Sequence, residues 1–200
     1  MDISNTMNSN VDDGTTSRYE GAVAASETFI EKFKTESDKS LAKREIGFVA
    51  FNTNTHKIFG LQECNSTDCK DETKNNRELS KIMSDDTSSI IDDSNYANLK
   101  TRFTNIEGGL KMAHDMLKES NASNKYIILL SDGMPTTYLK STTTYEGYEP
   151  YSAGKVGSSE GVFGYTPKMW GCNHGTSYSD RGAQKAREEA TRIKNNNIDI

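Results

Sequence analysis

Three cysteines, three prolines and one tryptophan are few for a chain of 200 residues. So little cysteine rules out a small disulfide-built scaffold, and so little proline rules out a Pro-rich spacer. Long apolar runs are missing too. The longest purely apolar stretch is Tyr126 to Leu130, and a membrane-spanning helix needs about 20 such residues. The first residues, Met1-Asp2-Ile3-Ser4-Asn5, carry neither the basic nor the apolar region of a signal peptide. There is no basic excess: 24 Lys and Arg are interspersed among 29 Asp and Glu, for a net charge of -5. No stripe suited to nucleic acid results, and charge of this sign serves mainly solubility. Hydrophobic residues make up 33% of the chain, which is low, yet they recur with helical or strand spacing, so wholesale disorder is excluded. Internal repeats, a Gly-rich phosphate loop and a nucleophile–His–Asp triad are all missing. The length suits one domain with one core.

The apolar pattern predicts the elements. Residues 17–37 read as an amphipathic helix, with Tyr19, Val23, Ser26, Phe29, Ile30 and Phe33 at three- and four-residue steps. Residues 44–51 and 56–61 read as strands, and the polar turn 52–55 between them is too short for anything but an antiparallel hairpin. Residues 62–98 are polar, with one short helix expected near 75–83. Residues 105–119 read as a helix with Ile106, Leu110, Ala113 and Leu117 on one face. The stretch Lys125 to Leu130 reads as a strand buried on both faces. Residues 180–195 read as a charged amphipathic helix carrying Ala183, Ala186, Ala190 and Ile193, and Ile198 begins another strand. Helices alternating with strands in this order predict an α/β fold, a doubly wound and mostly parallel sheet with one antiparallel edge strand.

Three polar clusters fall where strands should end. Asp2-Ile3-Ser4-Asn5-Thr6 presents a carboxylate and two hydroxyls at alternate positions. Thr104 stands just before the Asn-Ile-Glu-Gly-Gly helix, and Asp132 follows the buried strand in Ser131-Asp132-Gly133. All are hard oxygen donors, which suit Mg²⁺ or Mn²⁺ rather than a soft metal. In an open α/β sheet ligands bind beyond the carboxyl ends of strands where the winding reverses. Each cluster alone has a plainer reading: Ser-Asp-Gly is a common turn, and a threonine before a helix is a common N-cap. Their order, their spacing and the element after each give them weight.

On these residues the sequence resembles the von Willebrand factor A domain family, whose metal-ion-dependent adhesion site is D-x-S-x-S, then a Thr, then an Asp. Here D-I-S-N-T-M, F-T-N-I-E-G-G-L and L-L-S-D-G stand in those places, with Thr6 where Ser is usual. The resemblance implies that Asp2, Ser4, Thr6, Thr104 and Asp132 hold one Mg²⁺ or Mn²⁺, directly or through water, leaving a position for a ligand carboxylate. It spans the chain apart from 62–98 and 137–179. It also implies that the family's first, central strand lies before Asp2 and that the last elements lie beyond Ile200, so residues 1–200 read as a segment of a single domain within a longer protein.

The function implied is a non-enzymatic adhesion module at a bacterial surface, cell-wall- or pilus-attached, similar to the pilins and adhesins of Gram-positive organisms. Its partners would be a host or extracellular-matrix protein or glycan, or pilus backbone subunits, with no nucleic acid and no membrane insertion by this segment. One alternative is an intracellular A domain in a chelatase-like complex. Another is an aspartyl-phosphate hydrolase of the haloacid-dehalogenase-like kind, but that chemistry needs Asp-x-Asp, and Ser4 stands at the second position.

Cys64 and Cys69 enclose four polar residues, a spacing that a disulfide or two free thiols could fill, and Cys172 is then odd. A zinc site from Cys64, Cys69, Cys172 and His174 has the right ligand types and a poor spacing. His56 and His114 read as structural. The stretch Thr137 to Ser179 is a long insertion holding eight of the chain's 17 aromatics among Gly, Ser and Thr. That composition suits a binding loop on the metal face as well as a variable insertion. Asp12-Asp13-Gly14 could be a second cation site or a turn, and the Asp pairs at 85–86 and 92–93 read as solvated charge.

Overall fold

The computed structural model describes residues 1–11, 14–39, 43–64, 103–133, 135–147 and 181–200. The expected helix near 75–83, both later Asp pairs, Asp12 and Asp13, Cys69, Cys172, His174 and the aromatic stretch 148–179 lie outside them. Helix α1 spans Arg18–Asp38, α2 Ile106–Lys118 and α3 Arg181–Asn195. Strands β1 (Glu45–Phe51) and β2 (Thr55–Glu63) form the expected antiparallel hairpin, with Phe51 opposite Thr55. Strands β3 (Lys125–Tyr126) and β4 (Ile198–Asp199) pair in parallel.

Residues 1–3 join these two ladders. The Met1 amine and the Ile3 N–H donate to Val49 O and Phe51 O, and Phe51 N–H donates to Met1 O. On the other side the Asp2 N–H donates to Leu130 O at 2.8 Å. The chain therefore winds outward from residues 1–3 through β1 to β2, then returns on the opposite side through residues 125–130 to β4. A reversal of this kind opens a crevice at the strand ends, where Ser4 and Ser131 follow directly.

Side chains alternate across these strands and feed two cores. Met1, Ile3, Ala50 and Ile58 pack with Tyr19, Ala22 and Val23 of α1. Phe51, one residue after Ala50, turns the other way to Ile106, Leu110, Ala186, Ile193 and Ile198 under α2 and α3. The buried stripe of α1 runs through Ser26, Ile30 and Ser37. Phe29, expected on it, lies about 100° away around the helix and is exposed.

The expectation for Lys125 to Leu130 needs correction. Ile127 packs into the α2–α3 core and Leu130 into the α1 core, but Tyr126 and Ile128 are 63% and 58% exposed. Strand pairing is confined to Lys125 and Tyr126. Uninterrupted apolar sequence cannot say which face is covered, and only contacts with distant helices decide it.

Helix α2 packs on the hairpin by giving up side chains. A Cβ on Gly109 would come within 2.5 Å of the Phe51 ring, and one on Gly108 within 2.4 Å of Thr55 Oγ1. Between α2 and α3, His114 Nδ1 lies 2.8 Å from Glu189 Oε1, Arg192 donates to the other Glu189 oxygen, and Asn196 reaches His114 Nε2. This network satisfies the buried histidine, so His114 is structural as expected. Cys64, fully buried after β2, is disulfide-bonded and so cannot serve the zinc alternative.

The start of the expected insertion is ordered. Leu139 pairs with Gly147, Tyr145 O accepts from Thr55 N–H, and the Tyr145 hydroxyl donates to Asp115 while its ring lies under Lys111. Tyr145 thus fastens this segment to α2 and the hairpin turn instead of presenting itself for binding. Glu107 of α2 accepts the Leu139 N–H at 2.8 Å.

Two predictions come from this packing. Gly109→Ala should lose about 1–3 kcal/mol through overpacking against Phe51, despite the better helix propensity of alanine. Gly21→Ala, on exposed α1 with nothing within reach, should gain up to about 1 kcal/mol. Urea denaturation of both variants checks the opposite signs. The second concerns pH. Burial pushes the Glu107 carboxyl above its usual 4.5, only partly countered by the Leu139 N–H. A carboxyl raised in the folded state contributes stability below its unfolded value and loses it as pH rises through the folded value. Glu107→Gln keeps an acceptor for Leu139 and removes the buried charge. Its stability relative to wild type should therefore rise with pH above 4.5, measured by denaturation at pH 4.5 to 7.5; a constant difference would contradict this.

Candidate metal centre

The three polar clusters meet at the crevice. Ser4 ends the residue 1–3 strand and precedes a 3-10 turn, Asn5–Asn8, that carries Thr6 back over it. Thr104 Oγ1 donates to Ser4 Oγ at 3.0 Å, Ser4 Oγ and Thr6 Oγ1 are 3.2 Å apart, and Thr6 Oγ1 donates to Asp132 Oδ1 at 3.0 Å. These contacts bridge 100 and 126 residues of sequence. Asp2 sits beneath, its Oδ1 accepting the Ser4 N–H at 2.8 Å and its Oδ2 the Ser131 hydroxyl at 2.6 Å. All of the expected donors, Asp2, Ser4, Thr6, Thr104 and Asp132, are therefore in one chain of contacts.

Thr104 owes its place to its neighbours. It is not the cap of α2; Asn105 is, with its side chain accepting from Gly108 N–H. That leaves the Thr104 hydroxyl to reach Ser4. The hairpin turn forms the wall behind it: Asn105 N–H donates to Asn52 O, Asn105 Nδ2 to Thr53 O, and Phe103 N–H to Thr53 Oγ1. On the other side Thr104 N–H donates to Thr136 Oγ1, and Thr104 O accepts from Thr136 N–H. Asn52 and Thr53, read from sequence as part of a polar turn, are fully buried here.

The donor set fits a small hard cation. An octahedral ion with bonds of about 2.1 Å sets its neighbouring oxygens about 3.0 Å apart. The Thr104–Ser4, Ser4–Thr6 and Thr6–Asp132 separations of 3.0, 3.2 and 3.0 Å are hydrogen bonds of ordinary length, a spacing that the oxygens around such an ion share. Burial adds a second argument. Asp2 and Ser4 are fully buried and Thr104 nearly so. Burial pushes the Asp2 carboxyl up; hydrogen bonds from Ser131 and Ser4 counter it, and the Asp132 charge adds to the rise. Among the described residues no Lys or Arg side chain pairs with Asp2. A buried carboxylate without a cation is costly, and a divalent ion would relieve it. Among the described residues no three His, Cys, Asp or Glu side chains cluster to hold a metal; hydroxyls make up most of this donor set.

Sequence reasoning missed two participants. Ser131 was passed over as part of a Ser-Asp-Gly turn, yet its hydroxyl anchors Asp2. Arg18, the first residue of α1, donates from Nη1 to Asp132 Oδ2 at 2.5 Å. Its sequence signal is slight: a cation at a helix start, where the helix dipole disfavours it.

The model of the von Willebrand factor type A domain matches residues 1–134. Among solved structures, the vWF domain of the type V pili tip protein Mfa5 from Porphyromonas gingivalis is similar at 23% identity and a TM-score of 0.46. The similarity covers 68% of this chain and 37% of that one, so this chain spans well under half of that neighbour's length. No curated protein matches the chain. The family match covers more than half of the sequence and includes the segments that carry Asp2, Ser4, Thr6, Thr104 and Asp132: the chain belongs to the von Willebrand factor type A domain family.

Proposed function

We propose that this domain is a non-enzymatic, metal-dependent adhesion module. In this reading Asp2, Ser4, Thr6, Thr104 and Asp132 hold Mg²⁺ or Mn²⁺, which when bound supplies an open position for a carboxylate of a macromolecular ligand. The observation that carries the reading is the meeting of three distant segments in one run of hydroxyl and carboxylate oxygens at contact distances of 3.0–3.2 Å. Each protein group has a task. The hydroxyls hold their relative positions through one another, Ser131 and the Ser4 N–H orient Asp2, and the Asn52–Thr53 turn keeps Thr104 in place. A doubly wound, mostly parallel sheet is the frame that this arrangement suits.

The reading against catalysis rests on Ser4. A phosphohydrolase of the aspartyl type needs a carboxylic acid there to move a proton, and the Ser4 hydroxyl is engaged with Thr104 and Thr6. The disulfide at Cys64 favours an exported protein over an intracellular chelatase-like scaffold. A host or matrix protein or glycan, or a pilus backbone subunit, is the class of partner we propose, on a Gram-positive cell wall or pilus. Among the described residues no helix is long and apolar enough to cross a membrane.

Mg²⁺ titration by calorimetry, with Mn²⁺ paramagnetic resonance as a second readout, tests the metal. Wild type should bind one ion. Asp132→Ala should abolish measurable binding, and Thr104→Ala should weaken it by about tenfold or more while the domain stays folded, as expected for loss of one charge-assisted contact. Equal affinity in Asp132→Ala would overturn the assignment. Adhesion to immobilised matrix protein should require Mg²⁺, vanish in EDTA and vanish in Asp132→Ala; adhesion that survives both would place the binding surface elsewhere.

A further inference from the structure

The Asp132 carboxylate is held from two sides. Its Oδ1 accepts from Thr6 within the hydroxyl run, and its Oδ2 accepts from Arg18. Arg18 is the first residue of α1, at the positive end of the helix, so its charge gains nothing from the helix it begins. The partner it has among the described residues is 114 positions away. Its backbone is fixed as well. Arg18 N–H donates to Ser9 O, and Ser9 N–H donates to Thr6 O, so Arg18 and the Thr6 donor belong to one tied loop. Asn10 and Ser17 bridge the same loop, and Ser17 caps α1 with a reciprocal bond to Glu20. A residue that is disfavoured where it stands, yet anchored this firmly onto one carboxylate, acts on that carboxylate.

We propose that Arg18 sets how tightly the site holds its divalent ion: it fixes the Asp132 carboxylate through the oxygen that the hydroxyls leave and opposes the ion with its own positive charge. The proposal rests on the metal reading above. Two effects of opposite sign compete. Orienting Asp132 favours the ion, because Oδ1 is then presented to the hydroxyl run without a rotational cost. A guanidinium sharing the carboxylate weakens the ion's attraction and repels it directly. The second effect is the larger: a full charge beside the carboxylate both competes for it and repels a divalent ion, whereas orienting Asp132 recovers only the rotamer freedom of one short side chain. Solvent moderates it, because the Arg18 side chain is 42% exposed. Arg18 also offsets the repulsion between Asp2 and Asp132, which face the same crevice. Asp2 still gains from the ion, while Arg18 already neutralises part of the Asp132 charge, so the ion is held exchangeably.

The test is Mg²⁺ calorimetry on the whole chain for wild type, Arg18→Gln and Arg18→Lys, with thermal melts in EDTA and far-ultraviolet dichroism to confirm folding. Arg18→Gln keeps a donor and removes the charge. It should bind Mg²⁺ about tenfold more tightly and melt at a lower temperature in EDTA. Arg18→Lys restores the charge, so its affinity should stay within about threefold of wild type. If wild type binds Mg²⁺ and Arg18→Gln binds it equally or more weakly, the proposal for Arg18 is overturned while the metal site stands. If neither binds Mg²⁺ or Mn²⁺ at millimolar concentrations, the metal reading itself falls, and the role of Arg18 with it.

Discussion

Three residues of extended chain hold the rest in register. Met1 to Ile3 exchange backbone hydrogen bonds with β1 on one side, and Asp2 bonds Leu130 on the other. Because the chain winds away on both sides of this strip, its carboxyl end opens directly into the crevice. Alternation within the strip then divides the work. Met1 and Ile3 enter the α1 core, and Asp2 between them points its carboxylate to Ser4 and Ser131. A one-residue slip would put a carboxylate in the core and an isoleucine in the site, so packing and site geometry are fixed by the same register.

The site itself is a compromise between burial and charge. Hydroxyls cost little to bury when hydrogen-bonded: Thr104 donates to Ser4, Ser4 and Thr6 share the next bond, and Thr6 donates to Asp132. Two carboxylates in the same place are another matter. Asp2 is buried with neutral donors, and Asp132 faces Arg18 at the rim. The hydroxyls position one another and Arg18 moderates the charge of Asp132, an arrangement that suits the cation site we propose.

The supporting hydrogen bonds mix backbone and side chain. The hairpin turn Asn52–Thr53 holds Phe103 and Asn105 on either side of Thr104, and the segment after Asp132 bonds Thr104 itself through Thr136. Glycines at 108 and 109 permit α2 to approach the hairpin, since a Cβ at either position would collide with Thr55 or Phe51. The Glu-Gly-Gly sequence is thus a packing requirement of the crevice wall, and Glu107 extends the wall by holding Leu139.

Much of this was legible in the sequence, because periodicity records local burial. The bounds of α1, α2, α3 and the β1–β2 hairpin fall within two residues of those expected. Asp2, Ser4, Thr6, Thr104 and Asp132 could be named because their order and spacing resemble the family's D-x-S-x-S, Thr and Asp motif. Tertiary structure alone decided the rest. That the Thr104 hydroxyl reaches Ser4, which residues of the 125–130 run are covered, that Tyr145 is an anchor, and that Arg18 and Ser131 attend the two carboxylates all depend on partners dozens of positions away. A sequence pattern encodes which face of an element is apolar; it does not encode which element arrives opposite, and a hydrogen bond of about 3 Å exists only once both have arrived.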